Sequence, residues 1–274
     1  MSVSKIKTIV MVALALVNAF FLTIILINNY ADARDERQMI ENACSILQSN
    51  GIAINPDSII TSGNLITMRM ARTIEAEAAI AYAFLGQVDM TDQGGDIYFY
   101  ENPDRGAAEF SSAGDFDIQL LTGVISSADS TLKTTRELLR DMKLETSAPV
   151  SSLNPAGESI SVYSAHKGAR IFNCLIEFNY VGTSLQTVKG RYVADVEVLE
   201  GGVQISQVGT VLLGFLAAVK RDDIECTEIL SAEAGYQHSV TGAFGEGILN
   251  PSWLITTENG RYLVDSATGE IRSI

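Results

Sequence analysis

The feature that most constrains this chain is a long apolar run near its start. From Thr8 to Ile27 the sequence has 20 residues and no charged side chain. At about 1.5 Å of rise per residue, a helix of that length crosses a hydrocarbon core of about 30 Å. Lys5 and Lys7 precede the run, which predicts a cytoplasmic N-terminus and an exported C-terminal part. The sequence therefore predicts residues 1–30 to be a cytoplasmic tip and a transmembrane anchor.

A cleaved signal peptide is the alternative interpretation of this run. Ala31-Asp32-Ala33 has the small residues of a cleavage site. The apolar part of a signal peptide spans about 7–15 residues, and this run is longer, so an uncleaved anchor is favoured. Asn18 lies in the middle of the run. Its amide either contacts another helix in the membrane or is tolerated without a partner.

The composition of the chain excludes several classes of protein. Hydrophobic residues make up 47% of the sequence, which is typical of a folded domain rather than a disordered one. Asp and Glu total 33 against 19 Lys and Arg, giving a formal charge of −14. A nucleic-acid-binding protein needs a basic face to neutralise phosphates, so this class is excluded. Three cysteines are too few for a disulfide framework or a Cys-rich metal site.

Helical and strand spacing alternate along the exported part. Strands are predicted where apolar and polar residues alternate, as they do over 172–180. Antiparallel strands interrupted by helices predict an α+β fold with the helices on one face of the sheet. The order of elements occurs twice, loosely, which suggests two related subdomains. The predicted helices, from the spacing of their apolar residues, cover 35–48, 73–86, 130–143 and 208–219.

A segment rich in Ser, Pro, Asn and Gly separates the two halves of the exported part. Residues 146–159 read TSAPVSSLNPAGES, and this composition predicts a linker loop. The prediction places a first α+β subdomain at 31–145 and a second at 160–274.

The sequence contains no motif that predicts catalysis or ligand chemistry. HExxH, CxxC, the phosphate-binding loop, GxGxxG and GxSxG are all absent. His166 and His238 are predicted to lie in an exposed turn and at the end of a strand, rather than to act as general bases. The acidic cluster over 222–225 predicts a solvated loop. We therefore expect no enzymatic activity, no catalytic or metal-binding residue and no cofactor.

Both ends of the chain resemble one family. Residues 4–9 (SKIKTI) and 16–22 (LVNAFFL) resemble the start of the YycI/YycH regulatory proteins, with its Lys-x-Lys-(Ser/Thr) element and its Leu-Asn-x-Phe-Leu element. Residues 249–255 (LNPSWLI) and 259–270 (NGRYLVDSATGE) resemble the ending of that family, which PepSY-like domains partly share. Between about 31 and 225 the match is one of architecture alone.

The resemblance implies a single-pass membrane protein of Gram-positive bacteria with an extracytoplasmic α+β region. Such proteins are non-enzymatic partners of the sensor histidine kinase that controls cell-wall metabolism. For this chain, the resemblance implies a partner surface at Asn18, Phe20 and Phe21 that contacts the transmembrane region of the kinase, with a homologous YycH-like membrane protein as a further partner. The alternative is a PepSY-like exported domain that binds or inhibits an envelope peptidase or a cell-wall ligand.

The residues of the C-terminal motif also have a purely structural interpretation. Trp253 and Tyr262 are expected to pack across adjacent strands, and Thr268-Gly269 is expected to form the closing turn.

Overall fold

The computed structural model describes residues 34–111, 114–241 and 246–274, and Asn18 alone in the sequence before them. It contains a large mixed sheet accompanied by helices, which confirms the α+β class. Within this described part of the chain, no helix is both long enough and apolar enough to cross a membrane. Apart from Asn18, the predicted span over 8–27 lies outside the described residues.

The helices have the bounds that their apolar spacing predicts, to within a few residues. The first, α1, covers 34–49 in the described chain. Thr73 caps the next helix by accepting a hydrogen bond from the Ala76 N–H, and Gly86 ends it with a positive φ of 67°. The other helices are α2 (Ile74–Leu85), α3 (Thr131–Asp141) and α4 (Val208–Lys220).

The strands form one network of backbone hydrogen bonds. They are β1 (Ala53–Ile54), β2 (Ile59–Ile60), β3 (Met68–Met70), β4 (Asp89–Gly94), β5 (Ile97–Asn102), β6 (Gly106–Phe110), β7 (Asp115–Leu120), β8 (Val150–Asn154), β9 (Gly157–His166), β10 (Ala169–Val181), β11 (Ser184–Arg191), β12 (Val196–Val198), β13 (Glu228–Thr241), β14 (Glu246–Thr257), β15 (Arg261–Asp265) and β16 (Ile271–Ser273).

The central strand β10 joins two parts of this network. The main order is β12-β3-β14-β13-β10-β11-β7-β6-β5-β4. The pairing of β10 with β13 is parallel, and β1 and β2 also run parallel to β13. Beside this path, β9 pairs with β10 and β8, and β15 pairs with β14 and β16.

Two hydrophobic cores lie on either side of this junction. The first core is formed by α1, α4, β13, β14 and β15 together with the start of β10, and it is centred on Leu212, Phe215 and Ile255. The second core is formed by α2, α3, β5, β6, β7, β9 and β11 together with the end of β10, and it is centred on Phe84 and Phe178. The predicted apolar face of 172–180 is confirmed, because its alternate residues are buried, the first of them against the first core's sheet and the last in the second core.

The prediction of a loop over 146–159 is wrong in its middle. The segment contains β8, which forms a hairpin with β9 around Pro155 and Ala156. Serines that hydrogen-bond in turns also fit an exposed edge strand, so composition alone does not separate the two structures. The division into subdomains at this segment stays a prediction; β8 itself lies beside the second core.

Candidate functional site

The first helix joins the segment that precedes it to the first core. In the second half of α1, Ala43, Cys44 and Leu47 are buried in the first core, as the helical stripe predicts. In its first half, Met39 is exposed and Ile40 is only partly buried. The helix is therefore held to the domain by its C-terminal half, while its N-terminal half extends along the surface.

A groove of about 700 Å³ lies beside the first half of α1. Its floor is Trp253, whose indole Nε1–H donates a hydrogen bond of 2.9 Å to the Ser206 carbonyl. Glu36 is its only charged lining residue. The walls are Met39 from α1, the loop over 61–64 and the loop over 204–208. The groove is thus an almost uncharged surface. It lies at the end of the domain where α1 begins, next to residues 1–33 in the sequence.

The residues of the C-terminal motif hold this end of the domain together. Trp253 is buried on β14, and Tyr262 on the adjacent β15 packs its ring 5.5 Å from that of Phe215. Gly269 has a φ of 71° and donates its N–H to the Asp265 carbonyl. The Asp265 carboxylate accepts from the Thr268 N–H in the same turn. The expected closing turn is confirmed, and Trp253 and Tyr262 lie on adjacent strands as expected, although the aromatic ring beside Tyr262 is that of Phe215 on α4.

A second polar site lies where the two cores meet. Arg191 on β11 donates two hydrogen bonds, of 2.7 and 2.8 Å, to the Asp115 carboxylate on β7. Its remaining nitrogen lies 3.2 Å from Nδ1 of His238 on β13. The amide of Asn173 on β10 brackets the backbone of His238 with bonds of 2.7 and 2.8 Å. We call Asp115, Asn173, Arg191 and His238 the junction cluster.

The junction cluster corrects the prediction for His238. Its side chain is 2% exposed, rather than solvated at the end of a strand. Burial, assisted by the charge of Arg191, lowers the pKa of His238 to about 4, so the ring is neutral at pH 7. Arg191 is a donor, so Nδ1 accepts and Nε2 carries the proton. The hydrogen-bonded Asp115 carboxylate raises the pKa of Arg191.

A cavity of about 370 Å³ opens next to the junction cluster. Asp115, Asn173 and Arg191 line it, and cross-strand neighbours Asp117 and Lys189 form an ion pair of 2.7 Å on its wall. The cavity lies on the face of the sheet opposite α2 and α3. It presents ion-paired side chains rather than a nucleophile next to a base.

Two buried cysteines and His166 also have shifted pKa values. Burial raises the pKa of the Cys174 thiol to about 12 and that of Cys226 to about 11, so both thiols stay protonated at pH 7. His166 is half-buried rather than fully exposed, and burial lowers its pKa as well. The acidic residues over 222–225 are exposed, as predicted. In the described residues no group of three or more His, Cys, Asp or Glu side chains is placed to hold a metal ion.

Of the three residues predicted to contact a partner, the structure describes only Asn18. Asn18 is an exposed helical residue, and Phe20 and Phe21 lie outside the described residues. The sequence did not predict the junction cluster because its other members are 47 to 123 positions from His238. They meet through strand pairing, and no local motif reveals the register of those strands. The Trp253 groove had a signal, since the Pro-x-Trp motif marks its floor.

The comparisons with known proteins assign this chain neither a family nor a function. No family model matches the chain, and no curated protein matches it. Among solved structures, the crystal structure of an uncharacterized protein from Eubacterium rectale ATCC 33656 is similar over 81% of this chain and 92% of that chain, with 9% identity and a TM-score of 0.47. At that identity the likeness assigns no function.

Proposed function

We propose that this protein is a membrane-anchored, non-enzymatic regulator that modulates a sensor histidine kinase of a cell-wall-control two-component system. In this proposal residues 8–27 form a single transmembrane helix, the N-terminus is cytoplasmic and the α+β region is extracytoplasmic. The resemblance at both ends of the chain supports this function. The partners are the transmembrane region of the kinase and a homologous YycH-like membrane protein.

The observation that carries the proposal is the way α1 is fixed to the domain. Ala43, Cys44 and Leu47 are buried in the first core, nine to thirteen positions after residue 34, where the described part of the helix begins. A rigid attachment of this kind lets a rotation or shift of the domain reach the preceding segment. Regulation then requires that the anchor bind one state of the kinase more tightly than the other, because only differential affinity shifts an equilibrium.

An exchange of the anchor tests this proposal. Residues 8–27 are replaced by an unrelated apolar helix of the same length, and the output of the kinase is measured with a reporter gene. The proposal expects export of the domain to continue and regulation to be lost. Asn18→Ala, Phe20→Ala and Phe21→Ala are then compared with Ile24→Ala in the same span, and the three changes at the predicted surface are expected to lower regulation more than the control. Unchanged regulation after the exchange would overturn the proposal.

The second candidate is a PepSY-like exported domain that binds an envelope peptidase or a cell-wall ligand. The cavity beside the junction cluster favours it, because a concave site with convergent polar side chains is the usual form of a ligand site. This function depends on the exported surface and not on the anchor sequence. It therefore expects the exchanged anchor to leave function intact and Lys189→Ala, on the cavity wall, to weaken it.

A further inference from the structure

The strand β8 carries an unusual amount of exposed apolar surface. Leu153 is 85% exposed and Val150 is 67% exposed, the two highest values for large apolar side chains in the described residues. Both lie on one strand of five residues. Because they are three positions apart on a strand, these side chains project from opposite faces, so each face of this strand exposes one large apolar side chain to solvent.

The two outer edges beside the second core are protected very differently. Strand β4 forms one edge, and it carries Asp89 and Asp92 and an irregular register next to Gly94. Charges and bulges of this kind prevent an edge from pairing with another chain. Strand β8 pairs only with β9 among the described strands, and the sequence from 146 to 157 contains no charged residue. The β8 edge therefore lacks the protection that the β4 edge has.

The hairpin geometry fixes which backbone groups of β8 are free to pair. Asn154 and Gly157 close the hairpin around a two-residue loop, so they form a hydrogen-bonded pair. Antiparallel pairs alternate between bonded and non-bonded, so Ser152 also bonds to β9. The N–H and C=O groups of Ser151 and Leu153 consequently point away from β9.

We propose that β8 pairs edge to edge with β8 of a second copy of this chain. A two-fold axis perpendicular to the sheet at Ser152 places Ser151 opposite Leu153 of the partner subunit. It also places Leu153 opposite Ser151 of the partner subunit. Every outward-directed N–H within β8 then meets an outward-directed C=O, giving four hydrogen bonds. The two Leu153 side chains lie diagonally across the axis on one face, within reach of each other.

The charge of the molecule favours the β8 edge as the place where two copies of this chain meet. Two chains of formal charge −14 repel each other over most of their surface, and an uncharged strand is where two copies approach at the lowest cost. Pro149 and Pro155 flank the strand and lack the N–H needed to lengthen the pairing. The contact is therefore short. It falls below the interface of about 1,000 Å² that a stable complex in solution needs, so it depends on the concentration of copies in one membrane plane.

Cysteine cross-linking in membranes that contain the full chain tests the pairing. Ser152 would face Ser152 of the partner subunit in a non-hydrogen-bonded pair, where Cα atoms about 4.5 Å apart fit a disulfide. Ser152→Cys is compared with Thr91→Cys, at the middle of the exposed β4 edge, and with Ser151→Cys. After mild oxidation, dimer is measured on a non-reducing gel. The native chain is the blank, because Cys44, Cys174 and Cys226 are all buried.

The expected result is roughly tenfold more dimer with Ser152→Cys than with Thr91→Cys, because only the former brings two thiols within disulfide distance. Adding Leu153→Lys, which places two like charges across the axis, is expected to lower that yield. Dimer that forms equally at Thr91, that forms at Ser151 in preference to Ser152, or that is insensitive to Leu153→Lys overturns the pairing. The pairing rests on the proposed membrane anchor for its local concentration. The cross-linking experiment does not measure kinase output. A chain with an exchanged anchor that still spans the membrane should therefore form the cross-link even if it no longer regulates the kinase.

Discussion

The two cores share strand β10 but are assembled from different kinds of chain segment. The second core forms almost entirely from one continuous stretch, 74–192. The first core combines residues after 34 with residues after 196, so the chain leaves it and returns. Met70 pairs with Val196 across more than a hundred intervening residues. Both cores contain contacts between distant residues, but only the first core is assembled from segments that are separated by a long stretch belonging mainly to the other core.

The cores also differ in how they bury polar groups. In the second core Glu77 is fully buried, pairs with Arg72 and accepts a hydrogen bond of 3.0 Å from the Tyr192 hydroxyl. Burial, and then the Glu77 charge, raise the pKa of Tyr192. The first core is mainly apolar around α4 and Trp253. The comparison teaches that directional polar contacts fix the second core, while shape and apolar area fix the core that holds α1.

The largest effect is expected from breaking the buried ion pair of the second core. Glu77→Ala leaves the Arg72 guanidinium with only exposed or backbone partners and removes the acceptor of Tyr192. Breaking a buried pair costs about 3–5 kcal/mol, and we expect the upper end for the free energy of unfolding. Urea unfolding followed by circular dichroism measures it. Glu75→Ala, an exposed carboxylate in the same helical turn, is the control and is expected to change stability by about 0.5 kcal/mol or less.

The same variant tests whether the cores unfold together. Trp253 is the only tryptophan of the chain and lies in the first core. Because β10 belongs to both cores, we expect its fluorescence transition to move to lower urea with the circular dichroism transition. A fluorescence midpoint that stays in place while circular dichroism moves would show that the cores are independent.

The next largest effect is expected from a cavity in the first core. Phe215 on α4 is fully buried and packs against Tyr262. Phe215→Ala is expected to lower the free energy of unfolding by about 3–4 kcal/mol through lost burial and an unfilled cavity. Leu213→Ala, at an exposed position of the same helix, is the matched control. In hydrogen exchange, amides of both cores that exchange only by global unfolding should accelerate to the same extent, and acceleration confined to β13 and β14 would show that the first core opens on its own.

Local patterns predicted the elements better than the arrangement. The stripes of α1 and α4 and the cap at Thr73 were readable because each depends on residues within four positions of one another. The strand β8 was missed because its serines and the flanking Pro149 and Pro155 also suit a turn. The return of the chain to the first core was not readable, since pairs such as Met70 with Val196 leave no local signal.

The candidate sites follow the same rule. Trp253 could be singled out from its sequence motif. Its packing in the first core also places it at the floor of the groove. The burial of His238 depends on Arg191 and Asp115, which arrive on separate strands. A lone histidine in a strand pattern contains no information about such partners, so the sequence predicted solvent where the structure has a neutral, buried ring.

The pH dependence of stability tests the junction between the cores. His238 has a folded pKa of about 4, against an unfolded value of about 6.5. As pH falls from 6.5 to 4, the unfolded state gains a proton that the folded state does not bind, so stability falls, by up to about 3 kcal/mol. His238→Gln keeps an acceptor for Arg191 and removes this dependence. Unfolding at several pH values from 4 to 7 should show a flatter curve for His238→Gln than for the native chain.

The half-buried His166 is the comparison for that experiment. Its pKa is lowered by burial and by Lys167, so His166→Gln should flatten the curve in the same direction but by less. If His166→Gln flattened the pH dependence of stability more than His238→Gln, the loss of stability at low pH would come mainly from His166 and not from the junction cluster.

The smallest effect is expected at the floor of the groove beside α1. Trp253→Phe removes the hydrogen bond to the Ser206 carbonyl but keeps an aromatic ring in the first core. The carbonyl lies at the edge of an open groove, so water can replace the indole, and the free energy of unfolding should fall by only about 1 kcal/mol. Circular dichroism measures it, since the fluorophore is lost. Tyr262→Phe, a half-buried neighbour on β15, is the control, with an expected change within about 0.5 kcal/mol. A loss of about 3 kcal/mol or more for Trp253→Phe would show that water does not replace the indole at the Ser206 carbonyl.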